Sequence, residues 1–343
     1  MRTNDKVIVF GELLMRLETP RFERFLQARQ FNIGFTGAET NASVSLVNYG
    51  IPCEVVSAVP THDIGQACIN YLRQYGLGTQ YIQRIGQRLG IFYVETGASQ
   101  RPSKIVYDRG RTSIQELRVG QIPWDDTFSE AGWFHFSGTA PALSPDVADV
   151  VAEACQAAQR AGVTVSCDLN YRSKLWSPSQ ASAVMTPLME HVDVVIGNEE
   201  DASKIFGIVP QNVDIQAGKL SAEDYYSVLS QLQDRFDLRY VATTLRESRS
   251  ASQNAWSGLL YDGQQFYKSK RYEIQIVDRI GAGDAFSGGL IFGLLSGWEP
   301  GQSLEFAVAA SCLKHTIHGD FNLANKNEVL DLVHGDASGR VQR

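Results

Sequence analysis

The residues that most clearly indicate a chemical function lie late in the chain, where small residues precede an apolar stretch. Gly281, Ala282 and Gly283 precede Asp284, and the apolar residues that follow predict a buried helix. Glycines let the backbone turn its N–H groups inward, and the first turn of a helix carries unpaired donors and partial positive charge, a combination that binds phosphate. A carboxylate beside this anion site is placed to accept a proton from an attacking hydroxyl. Taken alone, Asp284 could instead be an ordinary helix N-cap.

A second glycine turn lies near the N-terminus. Residues 34–43, GFTGAETNAS, lead directly into a helical pattern that runs to Tyr49. A plain turn that starts a helix is one interpretation of this segment.

A third polar group follows a predicted strand in mid-chain. Asp168, Asn170 and Arg172 come in the order D-x-N-Y-R, so a carboxylate, an amide and a guanidinium are delivered to one edge of the sheet. Arginine binds a carboxylate or phosphate in two-point fashion. The alternative is a simple ion pair between Arg172 and Asp168 or a surface carboxylate.

Short β-branched segments alternate with helical patterns along most of the chain. The predicted strands are 7–10, 55–59, 133–137, 163–168, 192–197 and 240–245. The predicted helices are 39–49, 64–75, 146–161, 199–206, 221–236, 284–296 and 302–316. This alternation is typical of an α/β fold with a mostly parallel central sheet and helices on both faces. Such a sheet binds its ligands beyond the carboxyl ends of its strands.

Two regions break this alternation. Residues 14–36 and 88–118 alternate apolar and polar side chains without a helical period, which predicts half-exposed strands in a small β lid over the cleft. The remaining residues, 1–13, 37–87 and 119–343, are expected to form the α/β core that binds nucleotide and substrate. Because proteins usually cover the bare edges and apolar face of such a sheet, we expect a dimer through the lid.

Composition excludes several kinds of partner. The net charge of −7 argues against nucleic acid, because phosphate-backbone binding needs concentrated Lys and Arg. The N-terminus lacks the pattern of a signal peptide, so we expect a cytoplasmic protein. The longest apolar stretch, 288–298, is too short to cross a bilayer. Five widely spaced cysteines without C-x-x-C predict reduced thiols.

Signatures of other enzyme classes are missing from the sequence. There is no early G-x-G-x-x-G with a following acidic residue, no G-x-x-x-x-G-K-[ST] and no G-x-S-x-G. These absences argue against a Rossmann dehydrogenase, a P-loop kinase and an α/β-hydrolase. A ligand-binding or regulatory protein without catalytic activity is a further alternative, although such a protein would be expected to have lost Asp284.

The glycine motifs at the two ends of the chain resemble those of one family. GAGDAF at 281–286 resembles the C-terminal signature of ribokinase-like (PfkB) carbohydrate kinases, and GFTGAETNAS is similar to the family's N-terminal G-G-x-x-x-N-x-A. The resemblance implies that Asp284 is the catalytic base and that the backbone of 281–283 forms the anion hole. It also implies that Gly37 and Asn41 contact sugar hydroxyls. Thr36 stands where the family usually has its first glycine.

The D-x-N-Y-R segment followed by Leu175 and Trp176 is similar to the 2-keto-3-deoxygluconate kinase branch of this family. The resemblance implies that Arg172 meets the carboxylate of a sugar acid. The substrate-binding residues that it indicates are Phe92, Tyr107, Arg109, Asn170 and Arg172. Two arginines favour an anionic substrate, with Arg109 supplying the second charge, whereas a kinase of a neutral sugar such as fructose or ribose is the alternative.

The resemblance also implies ATP and Mg²⁺ as cofactors. The family orders magnesium with an N-x-x-E segment, which corresponds here to Asn198, Glu200 and Asp201, and Mg²⁺ prefers oxygen ligands. The alternative for these residues is an acidic first turn of a helix. Thr244, Arg246, Gly283 and Gly319 are the further candidates for ATP contacts. The expected reaction is transfer of the γ-phosphoryl group to a terminal hydroxyl of a small-molecule sugar or sugar acid.

Overall fold

The computed structural model describes residues 5–198, 200–210 and 222–335, and within them fourteen strands and ten α-helices follow one another along the chain. The strands are β1 (Lys6–Phe10), β2 (Leu14–Glu18), β3 (Asn32–Thr36), β4 (Cys53–Val59), β5 (Ile82–Arg84), β6 (Gly90–Glu95), β7 (Lys104–Asp108), β8 (Ala131–Ser137), β9 (Thr164–Asp168), β10 (Val194–Gly197), β11 (Tyr240–Ser248), β12 (Gln253–Tyr261), β13 (Phe266–Lys268) and β14 (Tyr272–Gln275). The helices are α1 (Ala38–Asn48), α2 (Asp63–Gln74), α3 (Trp124–Thr127), α4 (Pro145–Arg160), α5 (Pro178–Met189), α6 (Asp201–Phe206), α7 (Ala222–Phe236), α8 (Ala282–Leu295), α9 (Pro300–Lys314) and α10 (Lys326–His334). A 3₁₀ helix spans Ser113–Glu116.

Ten strands form the main sheet. Its order is β13-β12-β11-β10-β9-β8-β1-β4-β5, with β14 also paired to β12. The pairs from β11 to β5 are parallel, whereas β12 pairs antiparallel with β11, β13 and β14. The parallel strands therefore bring their carboxyl ends to one edge, where α/β sheets bind ligands.

Helices cover both faces of this sheet because successive side chains of a strand point to opposite faces. In β1, Ile8 and Phe10 join one buried cluster, whereas Val7 and Val9 join the other. The first cluster includes buried residues of α4 and α5, and the second includes those of α1, α8 and α9. The expectation of a mostly parallel sheet between two helical layers is confirmed.

The second sheet is small and has the order β3-β2-β6-β7. Its strands lie within the two regions that were expected to form the lid. The outer strand β7 is largely exposed, and Ile33 and Val106 of this sheet are 66% and 46% exposed. The predicted dimer through this sheet stays a prediction.

The structure differs from the sequence-based expectation in two respects. The end of the second lid region does not stay in the lid, because Ile114 and Leu117 are buried in the main core beside α4 and β4. Strands β5, β12, β13 and β14 and helices α3, α5 and α10 were not predicted. The helices expected at 199–206 and 221–236 are described as α6 and α7, and their expected first residues, 199 and 221, lie outside the described residues.

No helix in the described ranges combines the length and apolar character that a membrane span requires.

Helix α8 lies unusually close to its neighbours because glycines face them. A Cβ atom on Gly288 would lie 2.7 Å from the carbonyl oxygen of Ala42 in α1, and one on Gly289 would lie 2.8 Å from Cα of Ala307 in α9. These distances are shorter than van der Waals contact. The glycines therefore fix the position of α8 and of the loop that precedes it.

We expect Gly288→Ala to lower the free energy of unfolding by about 1–3 kcal/mol, because the methyl group overpacks the contact with α1. Urea unfolding followed by circular dichroism measures the change. Gly110→Ala is the matched control, since a Cβ atom there meets no atom within 4 Å. Identical unfolding midpoints for the two variants would contradict the tight packing of α8.

Candidate active site

A cleft of about 470 Å³ lies between the carboxyl edge of the main sheet and the small sheet. The structure brings to its walls most of the residues that the sequence indicated: Gly37, Asn41, Phe92, Tyr107, Arg109, Asn170, Arg172, Asn198, Thr244, Arg246, Gly281, Ala282, Gly283 and Asp284. Three predicted residues, Glu200, Asp201 and Gly319, are not among its lining residues. The cleft also holds polar residues that were not predicted, which include Glu12, Glu39, Asn254, Arg279 and Asp320.

The loop before α8 presents backbone amides to this cleft. Gly281 is the N-cap of α8 and has a φ of 83°, and a Cβ atom there would lie 1.9 Å from the carbonyl oxygen of Asp320. Only glycine fits this position, because both the left-handed backbone and the close contact exclude a side chain. Within the described part of the chain no protein group accepts from the amides of Gly281 or Gly283. The amide of Ala282, by contrast, points to the carbonyl of Arg279 at 3.4 Å.

Asp284 stands in the first turn of α8, half-buried in the wall of the cleft. Its side chain does not cap the helix, so the simple N-cap reading is wrong. Instead Asn41 Nδ2 donates to Asp284 Oδ2 at 2.6 Å, and Thr36 Oγ1 donates to Asn41 Oδ1 at 2.8 Å. This chain of hydrogen bonds fixes the orientation of the amide and of the carboxylate. Its first member, Thr36, is the last residue of β3.

The environment of Asp284 favours a carboxyl group that titrates near neutral pH. Burial raises the pKa of Asp284 to about 7, with a smaller contribution in the same direction from Asp320. The hydrogen bond from Asn41 and the charges of Arg172 and Lys314 act in the opposite direction. A general base with such a pKa is well matched to a reaction at pH 7.

Two further carboxyl groups interact with Asp284, of which Glu39 is buried and Asp168 is half-buried. Burial raises the pKa of Glu39 to about 7, although Ser137 donates to Glu39 Oε1 through its amide at 3.0 Å and its hydroxyl at 2.5 Å. Burial, Asp201 and Asp284 together raise the pKa of Asp168 well above its usual value. Glu39 could not be distinguished in the sequence from an acidic residue in the first turn of a helix.

The side chain of Arg172 extends from the core toward the cleft and is exposed. Among the described residues its guanidinium donates only to the carbonyl of Tyr171, at 3.2 Å, and it forms no ion pair with a carboxylate there. Its guanidinium is therefore available to an anionic ligand. Asn170, beside it, is buried and has a left-handed backbone with a φ of 40°.

Arg109 has a protein partner. Its Nε and Nη2 atoms donate to Oε2 of Glu12 at 2.7 and 2.6 Å. Thr112 Oγ1 donates to the other carboxylate oxygen at 3.0 Å. The second free positive charge expected from Arg109 is thus balanced inside the protein by a glutamate that the sequence did not indicate.

Aromatic rings line the lid side of the cleft. Phe92 is buried in β6 and stacks on Tyr107 of β7 with ring centroids 6.0 Å apart. The guanidinium of Arg109 and the ammonium of Lys174 lie 5.3 and 5.8 Å from the centroid of Tyr107. The lid and the core therefore meet at Tyr107.

The three predicted residues outside the cleft have other surroundings. Asp201 is buried, and its carboxylate accepts from the amides of Tyr171 at 3.1 Å and Asn198 at 2.9 Å. Glu200 lines a neighbouring groove. Gly319 lines a separate small cavity, and its amide donates to Asp278 at 3.1 Å.

One cluster beside that small cavity has the residue types of a metal site. The ligand atoms of Glu18, Asp278 and His318 lie within 4.8 Å of one another. Arg16, however, donates to Asp278 at 2.8 Å and forms an ion pair with Glu18 at 3.0 Å. The guanidinium supplies the positive charge that a metal would bring, so these residues do not fit a cation.

Comparison with known proteins places this geometry in a family. A model described as pfkB family carbohydrate kinase matches residues 4–326. The 2-dehydro-3-deoxygalactonokinase of Haloferax volcanii is 31% identical over 334 residues, which cover 97% of this chain and 98% of that protein.

Solved structures show the same similarity. A 2-dehydro-3-deoxygluconokinase from Thermotoga maritima has 43% sequence identity and a TM-score of 0.93, covering 97% of this chain and 99% of that chain. A PfkB family carbohydrate kinase from Listeria grayi has 31% identity and a TM-score of 0.89, covering 96% and 99%. With a family model that spans nearly its whole length and a cleft built from the two glycine motifs, the chain belongs to the pfkB family of carbohydrate kinases.

Proposed function

We propose that this protein transfers the γ-phosphoryl group of ATP to a terminal hydroxyl of a sugar acid of the 2-keto-3-deoxygluconate type. The observation that carries the proposal is the half-buried carboxylate of Asp284 beside unpaired amides, in a cleft that Arg172 also enters. The relatives from Haloferax volcanii and Thermotoga maritima, which are named for kinases of 2-dehydro-3-deoxy sugar acids, support the same substrate class.

In the proposed reaction, Asp284 accepts the proton of the substrate hydroxyl as the hydroxyl oxygen attacks the γ-phosphorus, and the bond from that phosphorus to the bridging oxygen breaks to release ADP. The amides of Gly281 and Gly283 donate to the transferring group, where negative charge is spread over the phosphoryl oxygens. The chain from Thr36 through Asn41 holds the carboxylate in one orientation. The small sheet over the cleft excludes water, which would otherwise compete with the sugar hydroxyl.

The sugar is proposed to lie between α1 and the lid. Gly37 allows the turn that forms this wall of the cleft, since a Cβ atom there would lie 2.4 Å from the carbonyl oxygen of Glu12 and would displace the turn. Phe92 and Tyr107 supply an apolar surface for the ring or chain of the substrate, and Asn170 contributes an amide. Arg172 is placed to pair with the carboxylate of a sugar acid.

The nucleotide is proposed to occupy the part of the cleft lined by Thr244 and Arg246, with Asn254 and Arg279 nearby. For Mg²⁺ the cleft offers the oxygen atoms of Asp168 and Asn198, which suit a hard cation, and bound Mg²⁺ neutralises the triphosphate. Asp201 and Glu200 remain candidates for contact through water. Gly319 is a weaker candidate for nucleotide contact because it lies in the separate small cavity.

One observation favours a second candidate, a kinase of a neutral sugar such as fructose or ribose. Glu12 neutralises Arg109, so the sugar end of the cleft holds one uncompensated arginine rather than two.

An inactive sugar-binding protein is disfavoured because Asp284 and the adjacent amides are both present. The exposed apolar side chains of the small sheet support the proposed dimer. A cytoplasmic location is also part of the proposal.

We expect Asp284→Asn to lower turnover by at least about 100-fold, because the amide cannot accept the substrate proton. ATP consumption coupled to a spectrophotometric assay measures the rate with 2-keto-3-deoxygluconate. Asp331→Asn, which removes an exposed acidic side chain from α10, is the matched control. Turnover close to that of the unmodified protein would remove Asp284 from the role of base.

The same substitution tests the cost of burying this carboxyl group. A group whose pKa is about 7 in the folded protein and lower in the unfolded chain stabilises the fold below pH 4 and loses that contribution as the pH rises through 7. We therefore expect Asp284→Asn to raise the free energy of unfolding at pH 8 by ~1 kcal/mol or more. Denaturant unfolding at pH 5 and pH 8 measures it, and a variant that is less stable at pH 8 would contradict the burial of a costly charge.

Arg172→Ala separates the two substrate classes. We expect kcat/KM for 2-keto-3-deoxygluconate to fall about 10- to 100-fold, the range expected for lost hydrogen bonds to a charged group. The values for fructose and ribose should change by less than about threefold, since these sugars lack the carboxylate. Arg160→Ala, an exposed arginine on α4, controls for charge loss. Equal losses with acid and neutral sugars would contradict the carboxylate contact.

A further inference from the structure

Lys314 is a fully buried lysine behind the wall of the proposed active site. It lies in the last turn of α9, and none of its surface is exposed. Its ammonium donates to the carbonyl oxygen of Asp278 at 3.2 Å and to that of Ile317 at 3.1 Å. Lysine is almost never fully buried unless it is paired, because removing its charge from water is costly. A lysine kept at this position despite that cost is therefore expected to have a function.

The end of α9 holds the loop that leads to Asp284 at several points. Ser311 Oγ donates to the carbonyl oxygen of Ala282 at 2.7 Å. The carbonyl oxygen of His315 accepts from the amide of Asp278 at 3.2 Å. Lys314 contacts the same loop at the carbonyl of Asp278. Residues 311, 314 and 315 lie on one face of a helix, so a single turn of α9 fixes the loop.

The charges around Lys314 are unequal. The charges of three carboxylates, Asp278, Asp284 and Asp320, raise the pKa of Lys314, whereas the charge of Arg16 lowers it. Burial lowers the pKa of Lys314, and the attraction of Asp278 and Asp320 opposes this shift. Arg16 is itself engaged by Asp278 and Asp320. The ammonium thus adds positive charge where carboxylates are in excess.

We infer that Lys314 is a positioning residue of the proposed reaction, whose buried ammonium holds the loop of unpaired amides in place and offsets the negative charge that surrounds Asp284. It acts through the Asp278 carbonyl and through its electric field, since it is not among the residues that line the cleft. This inference rests on the proposed role of Asp284. Loss of the ammonium frees the loop at one end and leaves Arg16 as the remaining buried cation beside Asp278 and Asp320.

Three variants separate the hydrogen bonds from the charge. Lys314→Gln keeps an N–H donor for the carbonyl oxygens but removes the charge, and Lys314→Met removes both. Ser303→Ala is the control, because Ser303 is equally buried on α9 but donates only to the carbonyl of Glu299 in its own helix. If Lys314→Met does not fold, Lys314→Gln carries the test.

Two readouts are measured for each variant. The first is the pH profile of kcat/KM with 2-keto-3-deoxygluconate, whose acid limb reports protonation of Asp284 in the proposed mechanism. The second is amide hydrogen exchange of residues 278–284, which needs no turnover. Four other charged or titratable groups interact electrostatically with Asp284 and are unchanged in all variants: Glu39, Asp168, Asp320 and Arg172.

Because Lys314 lowers the pKa of Asp284, its neutralisation should move the acid limb upward by at least about half a pH unit in both the Gln and the Met variants. Turnover at pH 7 should fall about tenfold or more, with the KM for ATP changed less than about threefold. Exchange of the loop amides should accelerate most in Lys314→Met, whereas Ser303→Ala should match the unmodified protein in both readouts.

An acid limb that stays in place in Lys314→Gln overturns the inference, even if the variant is less stable, because a purely structural role would leave the limb unchanged. Unchanged exchange of residues 278–284 in Lys314→Met overturns the positional part. Failure of the proposed function is recognised separately, by near-normal turnover of Asp284→Asn with Lys314 intact.

Discussion

A half-buried carboxylate beside unpaired backbone amides is the arrangement on which the rest of this structure depends. Partial burial of the Asp284 charge costs free energy in the folded protein, because the carboxylate loses part of its hydration. The surrounding elements offset that cost through fixed contacts: Asn41 donates to Asp284, and the end of α9 holds the preceding loop. The glycines of α8 bring the helices close enough for these contacts to form.

The sequence allowed the fold and the centre of the site to be predicted because both depend on local patterns. Alternating β-branched segments and helices indicated the parallel sheet, and glycines before Asp284 indicated the anion site. The antiparallel extension from β12 to β14 was missed, since its segments lack a strong period and follow a strand that was itself predicted too short. Residues 113–117 were assigned to the lid, although burial of Ile114 and Leu117 depends on contacts distant in sequence.

Long-range pairing explains the other differences at the site. Arg109 and Glu12 are far apart in the chain, so no local pattern indicated that one neutralises the other. Asp201 looked like a ligand for a cation, yet its carboxylate is used by two backbone amides. The sequence indicated which groups each of these residue types can bind, whereas its partner could be identified only from the three-dimensional structure. The pair between Glu12 and Arg109 also joins the core to the end of β7, so it contributes to the closed arrangement of the cleft.

The hydrogen-bonded chain from Thr36 to Asp284 has a consequence for how substrates are selected. Thr36 ends a strand of the small sheet, whereas Asn41 and Asp284 belong to core helices. A shift of the sheet therefore turns the Asn41 amide and with it the carboxylate. A ligand too short to keep the sheet in position would be bound but seldom converted, so discrimination against small sugars would fall on the rate of the chemical step rather than on affinity.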